Sequence, residues 1–184
     1  TMTALIVGRG HVAGIAAGTA CALMLAVGME TLPYVAVAGL TASAAYLLGG
    51  ETGVAKAAGF GLGVAGAGLA AFVATVPASA WMAAQCDAYS LPQLSVAVIS
   101  GLGLALAAAA PSQDRSFAGR LAALLAVAAA VVLAATAFPQ CLADPYAGLD
   151  PRLQQFWLDH VTEAQSFWSV LTHSWVKGAG YYIT

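Results

Sequence analysis

Charged side chains are scarce in this sequence, with six Lys and Arg and eight Asp and Glu among 184 residues. A soluble globular domain has about a quarter of its residues charged, so no water-soluble fold of this size would hide the apolar surface that remains. The cations are scattered and the net charge is −2, which leaves no positive field for a phosphate backbone and removes nucleic acid from the partners. Metal-binding spacings such as HExxH or an EF-hand loop are missing, as are a nucleophile elbow and a paired Cys and His signature. The sequence therefore shows no catalytic site, no metal site and no cofactor. An initiator Met and a charged tail are also missing: the chain opens on Thr1 and finishes at Tyr181, Tyr182, Ile183 and Thr184. It reads as cut at both ends, the alternative being a small protein that begins at Met2.

What is present is apolar, with 61% hydrophobic residues and a mean hydropathy of +0.85. A hydrocarbon core about 30 Å thick takes about 20 apolar residues in a helix. Five stretches meet or approach that length, at 12–29, 32–48, 57–76, 94–110 and 121–138, each bounded by Pro, Gly or charge. The expected fold is an all-α integral membrane protein whose bundle occupies residues 1–138. Glu30, Thr31 and Pro33 interrupt the first two stretches, and Pro disfavours helix at the residue before it, which predicts a tight helical hairpin. The first apolar run continues into the second without a convincing cleavage site, so it belongs to the fold and is not a signal peptide.

Lys and Arg are retained in cytoplasmic loops. With five spans, Arg9, Lys56, Arg115 and Arg120 share one side, whereas the opposite loops, around Glu30 and over 77–92, have no Lys or Arg. The N-terminus is then cytoplasmic and residues 139–184 are outside. There, Asp150 followed by Pro151 has the form of an N-cap with Pro at the first helical position. Leu153, Phe156, Trp157, Val161, Ala164, Trp168 and Leu171 recur at three- and four-residue steps, the pattern of an amphipathic helix. Trp157, Trp168 and Trp175 suit the headgroup region as interfacial anchors, so this helix is expected along the outer membrane surface. The alternative is an ordinary amphipathic helix packed beneath an extracellular domain.

Cys86 and Cys141 fall in the two outward loops, where an oxidising compartment permits a bridge. Whether they pair turns on a Cα separation of about 4.4 to 6.8 Å, which a sequence does not contain. Cys21, inside the first span, is a small packing residue. Gly61, Gly63 and Gly66 spell GxGxxG, but no strand precedes them, and Asp87, near the offset of the expected acid, is across the membrane. Gly59, Gly63 and Gly66 instead predict a flat helix face for close helix packing. Glu30 has two readings. At the hairpin turn it is a solvated interfacial carboxylate; facing a water-filled cavity it is a substrate contact, a proton carrier or the partner of a cation on another helix. The outward acids, with His160 beside Asp159, match no metal motif and read as solvated loop charges.

Three runs together carry a resemblance: ALMLAVGMETLPY at 22–34, CDAYS at 86–90, and CLADPYAGLDP at 141–151 leading into WLDHVTEAQ at 157–165. They resemble the middle part of large bacterial inner-membrane proteins that look like C-type (GT-C superfamily) glycosyltransferases. The resemblance implies a polytopic enzyme that transfers a sugar from a polyprenyl-phosphate donor to an acceptor on the periplasmic side; no cofactor is evident in this segment, and a divalent cation is one option for the full-length protein. It also implies the lipid bilayer and the remaining helices of the parent protein as partners. The superfamily's catalytic acid is typically in the first outward loop, upstream of this segment, so no catalytic residue carries over to any position here. The rival classes are a transporter or channel subunit, with Glu30 and the small-residue helices lining a path, and a structural membrane protein without chemistry. Sparse intramembrane charge weighs against an ion pump.

Overall fold

Helices begin where this sequence supplies caps and turns, and they run through every apolar stretch. The computed structural model describes residues 10–110 and 116–142, together with Arg152 and Phe156. Helix α1 is Gly10–Val27, α2 is Leu32–Leu48, α3 is Gly50–Thr75, α4 is Leu91–Ala109 and α5 is Phe117–Thr136. All five, the second counted from Met29, are long and apolar enough to cross a membrane, with mean hydropathies from 1.4 to 2.2. By composition the protein is a multi-pass membrane protein. Thr1–Pro145 and Tyr146–Thr184 form two separate units, and the five helices belong to the first. The expected surface helix and its anchors Trp157, Trp168 and Trp175 lie outside the described residues, as do Arg9, Arg115 and His160; Arg152 and Phe156 are helical.

Local chemistry sets the ends. Thr31 donates its hydroxyl to the Gly28 carbonyl at 2.8 Å, closing a short 3-10 turn over Met29–Thr31, and Pro33 starts α2 where its missing N–H costs nothing. Gly50, at φ 56°, permits the abrupt reversal from α2 into α3. Helix α3 begins at Gly50 instead of the expected residue 57. Charge at Glu51 and Lys56 limits the hydrocarbon span but not the helix, and an acid in the first turn favours the helix dipole. Ser116 caps α5 by accepting from the Gly119 amide at 3.1 Å.

The predicted hairpin between the first two spans is not how they pack. Helix α1 makes its long contact with α3 and little with α2. A Cβ on Gly14 would meet the Lys56 carbonyl, with the Phe60 amide at 2.8 Å, and one on Gly18 would meet the Phe60 carbonyl, with the Val64 amide at 2.9 Å. Gly59 and Gly63 return the contact against His11 and Ile15, so the two helices run parallel with glycines facing across the seam. In lipid, association depends on dispersion and close approach, which small residues allow. That match draws α1 to α3 in preference to its sequence neighbour. Helix α4 packs antiparallel on another face of α3, where Gly61 lies against the Gly101 carbonyl. Ala38, Ala42 and Tyr46 bury α2 in the shared core with Ala57, Phe60 and Val64 of α3. Helix α5 lies outside this layer with no buried residue.

Candidate functional site

A concave feature with a mostly apolar lining follows from that arrangement. Helices α2 and α4 both rest on α3, and Phe60 and Val64 floor the gap between them. Leu32, Val35, Ala36 and Gly39 form one wall and Pro92, Val96 and Ala97 the other, with Ala135, Phe138 and Leu142 at the end of α5 beside the opening. The groove has a volume of about 580 Å³. Among the described residues no charged side chain lines it, and its polar groups are committed elsewhere: Ser100 donates to the Ala97 carbonyl at 3.2 Å, and Gln93 is held in the loop described next. Such a surface offers dispersion and apolar burial, and no group for proton transfer or ion coordination.

One end of the groove is built by the segment joining α3 to α4. Ser90, 2% exposed, donates to the Gln85 carbonyl at 2.5 Å and accepts from the Gln85 amide at 3.0 Å. The Gln93 side chain accepts from the Ser90 amide at 3.1 Å and donates to the Gln85 and Cys86 carbonyls at 3.1 and 3.3 Å. Together they make a capping box at the start of α4. Cys86, fixed by this hub, forms a disulfide with Cys141, with Cα atoms 5.0 Å apart, and Cys141 lines the groove. Above α3, Phe72 meets Trp81 and Tyr89 at ring separations of 6.3 Å, and Tyr89 donates to the Gly68 carbonyl at 3.1 Å. Burial pushes the Tyr89 phenol above its ordinary range.

At the opposite end, Arg120 of α5 donates to the Tyr46 and Leu47 carbonyls at 2.9 and 3.4 Å. These belong to the last turn of α2, whose carbonyls lack intrahelical partners and carry the negative end of the dipole. The guanidinium carbon also stands 5.8 Å from the Tyr46 ring centroid, a cation–π distance, while Tyr46 donates its hydroxyl to the Ala107 carbonyl of α4 at 3.2 Å. Arg120 and Tyr46 together join α5, α2 and α4. Its Nε is buried without a hydrogen-bond partner among the described residues.

The residues singled out from sequence separate into distinct places. Cys86 and Cys141 come together. Gly59 and Gly63 are at the α1 seam, but Gly66 is exposed with no atom within 4 Å of where its Cβ would be; Gly61, on the α4 face, takes that packing role. Glu30 is exposed and does not line the groove, although Met29 and Leu32 on either side of it do. Cys21 is buried at 1% exposure. Sequence reasoning missed Arg120 as a structural group because it counted only its charge. It also passed over Ser90 and Gln93, although the S-x-x-Q spacing before α4 is the legible signal of a capping box. Among the described residues, no group of three or more His, Cys, Asp or Glu side chains is gathered to hold a metal ion. Comparison with protein families, curated proteins and solved structures finds no match to this chain.

Proposed function

We propose that this chain is the membrane-embedded, lipid-holding part of a GT-C-like glycosyltransferase of the bacterial inner membrane, and that its groove holds the hydrocarbon chain of a polyprenyl-phosphate-linked sugar donor. The observation that carries this reading is a groove of about 580 Å³ lined, among the described residues, without a charged side chain, within a bundle of five helices of membrane-spanning length. Ligand pockets of a few hundred cubic ångströms are typically apolar with a few orienting polar groups; this one has no free orienting group, which suits a chain and not a headgroup. The phosphate and sugar then sit beyond the disulfide end, and no residue described here is assigned to the transfer chemistry. Lys56 and Arg120 near the opposite end support a cytoplasmic assignment for that end and a periplasmic one for the disulfide. A transporter path through the groove is disfavoured by the position of Glu30, which is exposed outside it.

Photolabelling tests the proposal on the full chain in lipid nanodiscs, using a polyprenyl phosphate with a diazirine in its chain. Adducts are expected on Val64 and Val96 and should be competed by unlabelled polyprenyl phosphate. Adducts confined to the lipid-facing residues Leu40 and Leu106, or labelling indifferent to competitor, would sink it.

A further inference from the structure

Helix α5 is fastened differently from the other four. None of its residues is buried, and three of its packing contacts come from the half that starts at Arg120. Leu124 packs against the core, and Val127 faces Gly103 of α4, whose added Cβ would lie 2.9 Å from the valine methyls. Arg120, Leu124 and Val127 are spaced to share one face of the helix. Past this point the helix ends at Thr136, and Ala135, Phe138 and Leu142 line the groove together with Leu32 and Val35 of α2. Arg120 therefore ties α5 to α2 at one end, and the groove lies between the two helices at the other. The wide end is not loose, because Cys141 is bonded to Cys86, and Cys86 belongs to the hydrogen-bonded hub of Ser90 and Gln93.

We infer that α5 is a hinged wall of the groove, pivoting on Arg120 and its neighbours and strapped at its far end by the Cys86–Cys141 bond, so that the strap sets the width of the α2–α5 gap through which a hydrocarbon chain enters from the bilayer. The occupant follows from the lining, since a gap walled by Val35, Ala36, Ala135 and Phe138 between two membrane-length helices opens onto lipid tails. A segment with few buried contacts is the part of a fold that opens at least cost. A wall pinned at two points changes the cavity when one pin is released and keeps its place at the other. This inference rests on the lipid-holding reading for its ligand, but the motion is measured without any ligand.

Distance measurements by electron spin resonance decide it on the full chain in nanodiscs, with nitroxides attached to p-acetylphenylalanine. One pair replaces the exposed Tyr34 and Leu133 at the wide end, and another replaces the exposed Leu48 and Leu121 at the pivot. Treating the already folded protein with tris(2-carboxyethyl)phosphine, and confirming by mass that the Cys86 and Cys141 thiols become alkylated, avoids a variant that fails to fold. The 34–133 distance should lengthen and broaden, and the 48–121 distance should hold. Arg120→Gln with the disulfide intact should do the reverse. An unmoved 34–133 distance after complete reduction overturns the hinge, and so does equal broadening of both pairs, which means general loosening. If the wide end responds while the diazirine lipid still avoids Val64 and Val96, the lipid reading fails and the hinged wall stands.

Discussion

Between α1 and α3 the backbones meet directly, with Gly14 and Gly18 on one helix and Gly59 and Gly63 on the other admitting carbonyls where side chains would normally stand. Between α2 and α5, Arg120 reaches across to the Tyr46 and Leu47 carbonyls at one end, and a groove lies between the two helices at the other. Both pairs come from the same Ala-, Gly- and Val-rich composition, so hydrophobicity does not distinguish them. The register of the smallest residues does. Glycines spaced four apart on facing helices bring two axes together along their length, whereas a Cβ on Gly39 of α2 would meet no atom within 4 Å, and space remains on that side. In a bilayer such space is not a defect, because lipid tails fill it.

The largest expected effect breaks the tight half of this comparison. Gly18→Leu drives a side chain into the Phe60 carbonyl and the Val64 amide. Overpacking costs about 1–3 kcal/mol when side chains yield, and here backbone must move, so about 3 kcal/mol or more is expected, read as a lowered Tm of the detergent-solubilised protein. Gly39→Leu on the groove wall, with no atom within 4 Å of its added Cβ, should cost less than about 1 kcal/mol and reduce diazirine-lipid labelling. Equal damage from the two substitutions would erase the distinction between seam and groove.

Next in size is the strap. Replacing Cys86 and Cys141 by Ser opens a loop spanning 55 residues. The cost should be about 2 kcal/mol, the low end of the usual range, because helices already in a bilayer are confined without the bond. Thermal melts with and without reductant should show the wild type falling to the variant's Tm and the variant unmoved. Ser90→Ala comes third at about 1–2 kcal/mol, since it removes a buried hydroxyl that serves Gln85 and Gln93. It should act at the disulfide end, so hydrogen exchange should rise at the start of α4 and stay unchanged at the α1–α3 seam.

The smallest effect is electrostatic. The folded-state phenol of Tyr89 titrates above its ordinary value because burial disfavours the phenolate. The protonated form is the one favoured in the fold, so its contribution is complete below the unfolded pKa of about 10 and is lost as pH rises through the higher folded value. A spectrophotometric titration should show a late phenol that Tyr89→Phe removes. A normal titration for Tyr89 would mean that the Phe72, Trp81 and Tyr89 cluster is open to water.

The five helices were legible because length and hydropathy are properties of a stretch, and Leu32–Leu48 is bounded by Pro33 and a Gly pair that act locally. The start of α3 was not legible from hydropathy, since a helix continues through Glu51 and Lys56 where hydrocarbon does not. Helix partners were harder. GxxxG spacing announces a packing face without naming what packs there, so Gly59 and Gly63 could be chosen but the facing Gly14 and Gly18 could not, and Gly66 was chosen on the wrong side of the helix. The Cys86–Cys141 pair remained open for want of a distance. Arg120 was hidden by its own charge, which a topology count consumes before asking where the guanidinium goes.

The disulfide carries a further consequence for how the molecule is made. Cys86 precedes α4 and Cys141 follows α5, so the bond encloses two membrane crossings. During synthesis the first thiol reaches its compartment early and waits while a whole helical pair is threaded in and back out; only a completed round trip delivers its mate. Stalling of either helix leaves two unpaired thiols, so the state of this bond is a record of whether insertion finished, and a thiol-reactive quality-control enzyme on that face would find its mark only on chains that had not arrived.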